Sequence, residues 1–258
     1  GPQRTRRPRS QPRIDPRDGI AEYSVDLSPT NQKYLPVLDL PLETPEDARM
    51  RRDFTIRRKD RVTSRLQYGL SSAPRYRTGP PSPRARAAAL AIDRDANPRT
   101  RALARRLKKG TNGPHELVAA VLQRFANGGY VYTRNPPLLP EKAPIDHFLF
   151  ETRQGFCGHY AQALAWTARA AGIPARIVTG YLGGERNPLG DYWIVRQSDA
   201  HAWVEVFFPD RGWVRKDPTQ QLSPDQIESP GQGGTGAETG LRDRDRGTGG
   251  WLGTMRRY

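Results

Sequence analysis

The stretch from Gly155 to Gly172 reads as one bounded helix, and most of the chain between that helix and Asp217 reads as strand. Gly155-Phe156-Cys157-Gly158-His159-Tyr160-Ala161 opens the helix, and Gly172 with Pro174 just beyond closes it. Three strands are expected next, over Ala175–Leu182, Asp191–Arg196 and His201–Phe208. The last alternates, with Trp203, Glu205 and Phe207 on one face and Val204 and Val206 on the other. Pro209-Asp210-Arg211-Gly212 turns the chain back through Trp213 to Asp217.

Cys157 is the only cysteine in 258 residues. At a helix start it faces unpaired backbone N–H groups and the positive end of the helix dipole, and both favour the thiolate. Its alternative is a small buried apolar residue, and local sequence alone leaves the two open. A cysteine nucleophile needs a base that holds the thiolate and returns a proton to the leaving group. The chain has four histidines. His115 and His147 belong to upstream helices. His159 is two residues after Cys157, so on a helix its side chain points about 200° away. His201 opens a strand directly after the loop Gln197–Ala200, where it can be presented to a helix N-terminus. Asp217 lies 16 residues beyond His201. A hairpin of about seven residues up and seven back sets the two side by side, and a carboxylate there would orient the imidazole. Asp199 is the rival orienter, though its position two residues from His201 suits a loop hydrogen bond.

Upstream, the organisation is looser. Residues 1–19 form an expected disordered arm, with six Arg and four Pro in the first 18. Residues 20–83 read as a small β-rich module. A strand is expected over Ile20–Leu27, and two more within Asp53–Ser71, joined by the charged turn Arg57–Arg61. Residues 84–222 form the expected core domain. Its first stretch, 84–95, is ambiguous. Asn97-Pro98 then starts a basic helix, with Asn97 as its cap. A second helix carries the stripe Leu117, Val118, Val121, Leu122 and Phe125. Residues 223–258 read as a Gly- and Pro-rich linker towards a truncated apolar element. Gly1-Pro2 looks like the remnant of a removed tag, so a longer parent protein is expected.

Net charge is +15, but it is unevenly placed. Residues 1–109 carry 26 basic and 12 acidic side chains, whereas residues 157–219 carry 7 and 6. The excess belongs to the N-terminal half and favours an anionic surface such as lipid headgroups, with a merely solvated basic face as the plainer reading. No apolar run reaches the roughly 20 residues that span a bilayer. One cysteine excludes an internal disulfide. The chain shows no HExxH, CxxC, phosphate loop or calcium loop, so no metal and no cofactor is expected.

These motifs together resemble the transglutaminase-like superfamily. The resemblance rests on Gly155-Phe156-Cys157 with Tyr160-Ala161, Ala170-Ala171-Gly172-Ile173-Pro174-Ala175-Arg176 leading to Gly180-Tyr181, His201-Ala202-Trp203-Val204-Glu205-Val206, and Trp213 with Asp217-Pro218-Thr219. It covers roughly residues 113–220. The flanking segments look like the periplasmic portion of bacterial inner-membrane proteins of the TgpA type. The resemblance implies an α+β, papain-like core, with the cysteine helix packed on an antiparallel sheet after the small β-rich module. It also implies that Cys157, His201 and Asp217 match the family's catalytic positions, and a periplasmic setting beside membrane segments. The animal members need calcium, for which this chain has no acidic site, and their oxyanion-hole tryptophan has no match here. The Cys157 N–H is one expected oxyanion donor, with Gln154 or Tyr132 as the second. Trp203, Tyr181 and Asp199 are candidate pocket walls.

Three functions are expected. The first is a protein-glutamine gamma-glutamyltransferase: a Cys-His-Asp triad makes a thioester from a glutamine donor, and an amine, such as lysine, resolves it. The second is a cysteine peptidase or amidase acting on periplasmic or cell-wall peptides. The third is a non-enzymatic module binding an anionic membrane surface, with nucleic acid not expected.

Overall fold

A computed structural model describes residues 12–14 and 19–227. Most of the basic arm expected over 1–19, and the linker from 228 onward, lie outside the described residues. The chain divides into two units: residues up to Arg86 with Phe207–Val214, and Ala87–Val206 with the residues from Arg215.

The first unit is built from short strands: β1 (Arg13–Ile14), β2 (Ala21–Leu27), β3 (Tyr34–Leu35), β4 (Ala48–Met50), β5 (Ile56–Arg58), β6 (Leu66–Ser72) and β7 (Tyr76–Arg77). β2 and β6 pair antiparallel from Ala21↔Ser72 to Leu27↔Leu66, and β3, β5 and β4 form a small sheet in that order. Leu35, Ile56, Val62, Tyr68 and Leu70 are its buried core. Two expectations are corrected. The strands read within Asp53–Ser71 do not pair with each other. Phe54, placed in the first of them, has a left-handed φ of 66°. The Asp53 carboxylate accepts from the Thr55 N–H at 3.2 Å and hydroxyl at 2.7 Å, and this local bonding holds a turn where a strand was expected.

The second unit begins within α1 (Pro83–Leu90), which resolves the ambiguous stretch. Then come α2 (Pro98–Gly110), α3 (Pro114–Asn127), β8 (Val131–Tyr132) and α4 (Pro144–His147), which runs into a π-helical turn, Phe148–Thr152. β9 (Gln154–Gly155) and α5 (Cys157–Ala170) come next. On α3 the expected stripe is buried at Leu117, Val118, Val121 and Phe125. Phe125, Tyr130, Phe148 and Tyr160 form an aromatic cluster with centroids 5.1–6.4 Å apart. Burying each such ring contributes about 1.5–3 kcal/mol.

Asn97 occupies the N-cap position of α2, but its side chain makes no cap hydrogen bond to that helix. Its side-chain oxygen instead accepts from the N–H groups of Ile145 (2.9 Å) and Asp146 (3.2 Å), at the start of α4. Asp146 reciprocates at the start of α2, accepting from Arg99 N–H (2.8 Å), Thr100 N–H (2.7 Å) and the Thr100 hydroxyl (2.5 Å). All three side chains, Asn97, Asp146 and Thr100, are buried. Each helix end therefore satisfies the other's orphan donors. Asp146→Ala leaves three donors, two of them buried, without an acceptor and is expected to cost about 3 kcal/mol. The check is a lower urea midpoint at unchanged m-value.

α5 is buried on nearly every side, as a central helix must be. After it come β10 (Ala175–Tyr181), β11 (Glu185–Arg186), β12 (Trp193–Ile194), β13 (Ala200–Phe208) and β14 (Gly212–Lys216). β10, β13 and β14 form one sheet in that order, and β10 runs antiparallel to β13 from Ala175↔Val206 to Tyr181↔Ala200. The strand expected over Asp191–Arg196 shrinks to Trp193–Ile194 and pairs only with β11. Leu189, Tyr192 and Trp193 there are exposed, so no burial extends it.

The linker expected from 223 is also corrected at its start. Ser223 donates twice to Gln226 Oε1, and buried Gln226 donates to the carbonyls of Phe125 (3.1 Å) and Tyr130 (2.9 Å). Among the described residues no helix is long and apolar enough to cross a membrane.

Candidate active site

Cys157 is the first residue of α5 and is buried. Phe156 ahead of it is extended (φ −103°, ψ 178°), so the chain enters the helix abruptly at the thiol. Gly155 reads as a turn residue in the sequence, but its role is steric. A Cβ there would come within 2.8–3.0 Å of the His159 ring and Cβ. His159 packs there because its Nδ1 accepts from the Phe156 N–H at 3.2 Å and its ring meets Phe156 edge-on. Burial pushes its pKa down to about 4. It is a neutral structural group at the helix start.

β13 begins at Ala200, so His201 sits at the strand's near end, opposite Gly180 of β10. Its Nε2 lies 2.7 Å from Asp217 Oδ2, at the end of β14. Asp217 is almost fully enclosed, with 1% of its side chain exposed. Its other oxygen accepts from the Thr219 N–H (3.0 Å) and hydroxyl (2.7 Å). Both carboxylate oxygens are thus engaged, which fixes the imidazole's orientation through Nε2. That leaves Nδ1 unengaged by the carboxylate, and the His201 ring favours ionisation of the Cys157 thiol.

The electrostatics of the site arise from these contacts. Burial pushes the Cys157 thiol up, but hydrogen bonds from His201, the Ala202 backbone and Tyr132, with the charge on His201, outweigh it and bring it below its ordinary value. Burial pulls His201 down, yet its hydrogen bonds and charge interactions with Asp217 and Cys157 lift it to about 9. Burial likewise raises Asp217, and the bonds from His201 and Thr219 overcome it and hold the carboxylate low. The three directions agree in favouring the charged form of each group: thiolate, imidazolium and carboxylate.

Of the two candidates for a second oxyanion donor, the structure brings Tyr132 to the thiol and leaves Gln154 exposed. β8 and β9 run parallel, and the register Tyr132↔Gly155 puts the tyrosine beside the segment that carries Cys157. Burial first, then the charge of Cys157, pushes the Tyr132 hydroxyl up to about 12. It stays protonated and able to donate.

The candidate pocket walls divide. Trp203 is buried, stacks on His201 at 6.4 Å and carries the Arg215 guanidinium 3.9 Å above its ring. Gly180 makes room for it, since a Cβ there would lie 2.7 Å from the indole. Tyr181 is partly exposed and bonds Gln197 at 3.1 Å. Asp199 is half-buried and accepts from the Arg196 N–H at 2.7 Å, a loop hydrogen bond. Ala202 escapes detection in the sequence, because a backbone donor leaves no mark on residue type.

A cysteine at a helix start, beside a histidine strand and a carboxylate strand, is the arrangement of thiol-dependent acyl-transfer folds. The profile of the transglutaminase-like superfamily matches residues 101–218, and that of the TgpA N-terminal domain matches residues 1–79. The crystal structure of the periplasmic domain of TgpA from Pseudomonas aeruginosa, bound to ethylmercury, superposes with a TM-score of 0.79 at 43% identity, covering 84% of this chain and 77% of that one. A second structure of that domain gives 0.76 at 45% identity, covering 79% and 70%. The chain belongs to the transglutaminase-like superfamily. Among its relatives is a protein-glutamine gamma-glutamyltransferase of Pseudomonas aeruginosa, 46% identical over 207 residues, which are 80% of this chain and 31% of that protein. Another is the uncharacterized protein YebA of Bacillus subtilis, 37% identical over 128 residues, 47% of this chain and 17% of that protein. The chain therefore spans less than a third of the length of these relatives.

Proposed function

We propose that this chain is the catalytic portion of a protein-glutamine gamma-glutamyltransferase, working through Cys157, His201 and Asp217. The observation that carries the reading is His201 held 2.7 Å from the buried Asp217 carboxylate, with its ring favouring ionisation of the Cys157 thiol. The Cys157 thiolate attacks the carbon of a glutamine side-chain amide. The oxygen that gains charge is met by the Cys157 N–H and the Tyr132 hydroxyl. The C–N bond breaks, the His201 imidazolium gives its proton to the departing ammonia, and a thioester remains. A primary amine such as a lysine side chain attacks the thioester. His201 takes the amine's proton, an isopeptide bond forms and the thiolate returns. Asp217 holds the ring and stabilises its charged form throughout.

The periplasmic domain of TgpA, to which the chain is similar, supports a periplasmic setting. Anchoring to the inner membrane through segments beyond this chain is part of the same reading.

The test is mass spectrometry of a glutamine peptide incubated with the protein, with and without a lysine peptide. Cross-linked product with loss of ammonia is the expected outcome. Cleavage at a backbone amide would replace this reading with that of a peptidase. An unchanged peptide under both conditions would remove it.

A further inference from the structure

The second unit carries a cavity of about 430 Å³ at the opposite end of α5 from the thiol. It is lined by the last residue of α1 and the two after it, by α2, and by the end of α5 from Arg169 to Gly172. α5 has 14 residues, so at 1.5 Å per residue its two ends lie about 20 Å apart. The cavity is therefore separate from Cys157.

Four cationic side chains line it: Arg94, Arg101, Lys108 and Arg169. Among the described residues none of the four forms an ion pair. Asp93 and Asp95 flank Arg94 in sequence but do not line the cavity, and the Asp93 carboxylate accepts from the Asp95 N–H. Two of the guanidinium groups are fixed in place. Arg169 donates to the carbonyls of Ala175 (2.9 Å) and Ala91 (3.2 Å), and Arg101 donates to the carbonyl of Arg94. Arg101 Nε is buried and has no acceptor.

Cations at a helix C-terminus compensate its dipole, which is the plainer account of such a cluster. That account is too small here. A helix end presents about −0.5 of a charge, and the end of α5 already spends carbonyls on Gly172 and Ile173 N–H groups at 2.9 Å each. Four full positive charges exceed it several-fold. The volume lies in the range of small-ligand sites. Guanidinium forks with one ammonium match the oxygens of a phosphate group, and pre-fixed forks lose little entropy on binding.

We propose that this cavity binds a phosphate-bearing ligand through Arg94, Arg101, Lys108 and Arg169. The phosphate belongs either to a soluble phosphate compound or to a phospholipid headgroup. The inference stands whether or not the proposed transamidation does.

Inorganic pyrophosphate is titrated against the protein at constant ionic strength, with Tm and isothermal calorimetry as readouts. Anionic phosphatidylglycerol vesicles and neutral phosphatidylcholine vesicles are compared by co-sedimentation. Pyrophosphate should raise Tm saturably beyond chloride. Lys108→Gln and Arg101→Gln should each weaken binding at least tenfold, and Lys142→Gln should leave it unchanged. Lys108 is exposed and holds no structural hydrogen bond, so its variant carries the test if Arg101→Gln fails to fold. Binding of pyrophosphate alone identifies a soluble ligand. Vesicle binding that pyrophosphate competes away, and that Lys108→Gln loses, identifies a headgroup. No saturable shift, an unaltered Lys108→Gln affinity, or vesicle binding that pyrophosphate leaves untouched would each overturn the proposal.

Discussion

The Cys157→Ala protein is expected to lose amine incorporation into a glutamine donor by about four orders of magnitude or more, with its fold retained. Alkylation by iodoacetamide should fall from one equivalent to none, because the chain has a single cysteine and no second thiol can take the label. The size of the effect comes from where the thiol sits. Burial alone would make Cys157 an inert apolar residue, and it is the largest single influence on its ionisation. It is outweighed by the influence of His201, the Ala202 backbone and Tyr132, which together bring the thiol below its ordinary value. The expected ranking of variants has the same origin: alanine at 157 removes the bond-forming atom, whereas changes at 201 or 217 leave a nucleophile that is merely weaker. Circular dichroism and Tm measured alongside separate lost chemistry from lost structure. Residual amine incorporation by Cys157→Ala above the uncatalysed rate would remove the cysteine from the mechanism.

Legibility in the sequence varies with the range of the interaction. The helix from Cys157 is readable because its glycines, its start and its stop are local. The spacing of His201 and Asp217 is readable because a two-strand hairpin converts sequence distance into position, and the structure holds those side chains 2.7 Å apart. Parallel pairing gives no such signal. Nothing in residues 130–155 shows that Tyr132 lies against Gly155, and so the sequence leaves Gln154 and Tyr132 as equals. Asn97 shows the same limit at a helix end. Asn-Pro correctly marks where α2 begins, but its partners are 48 and 49 residues away, where two helix starts meet. The short hairpin β11–β12 fails for another reason. The apolar run Tyr192–Val195 suggests a longer strand over Asp191–Arg196, but with Tyr192 and Trp193 exposed no core face selects it.

Asp217→Ala and His201→Ala should separate holding the ring from holding the thiolate, and pH is the variable that shows it. In the parent protein the Cys157 thiol titrates below its ordinary value and His201 at about 9. The lowered thiol and the raised histidine together favour the thiolate–imidazolium pair on the acid side of about pH 9. Transamidation should rise on the acid side as the thiol loses its proton, and fall above about 9, where the imidazolium no longer has a proton for ammonia. His201→Ala removes the main stabiliser of the thiolate. Its thiol should titrate near or above the ordinary range, and at pH 7 its alkylation rate should drop by about 10- to 30-fold. Asp217→Ala keeps the imidazole but withdraws the carboxylate that raises it, so the alkaline limb should move below 9. Its kcat should fall by about three to four orders of magnitude, since the ring loses its orientation as well as its charge partner. The same linkage bears on stability. A histidine raised in the folded state stabilises the fold fully below its unfolded value of about 6.5, and that contribution is lost as pH climbs through about 9. Tm should thus decline on alkaline titration more steeply in the parent than in Asp217→Ala. Alkylation that is equally fast at pH 7 in the parent and in His201→Ala would show that the helix end alone holds the thiolate, and would reduce His201 to a proton donor.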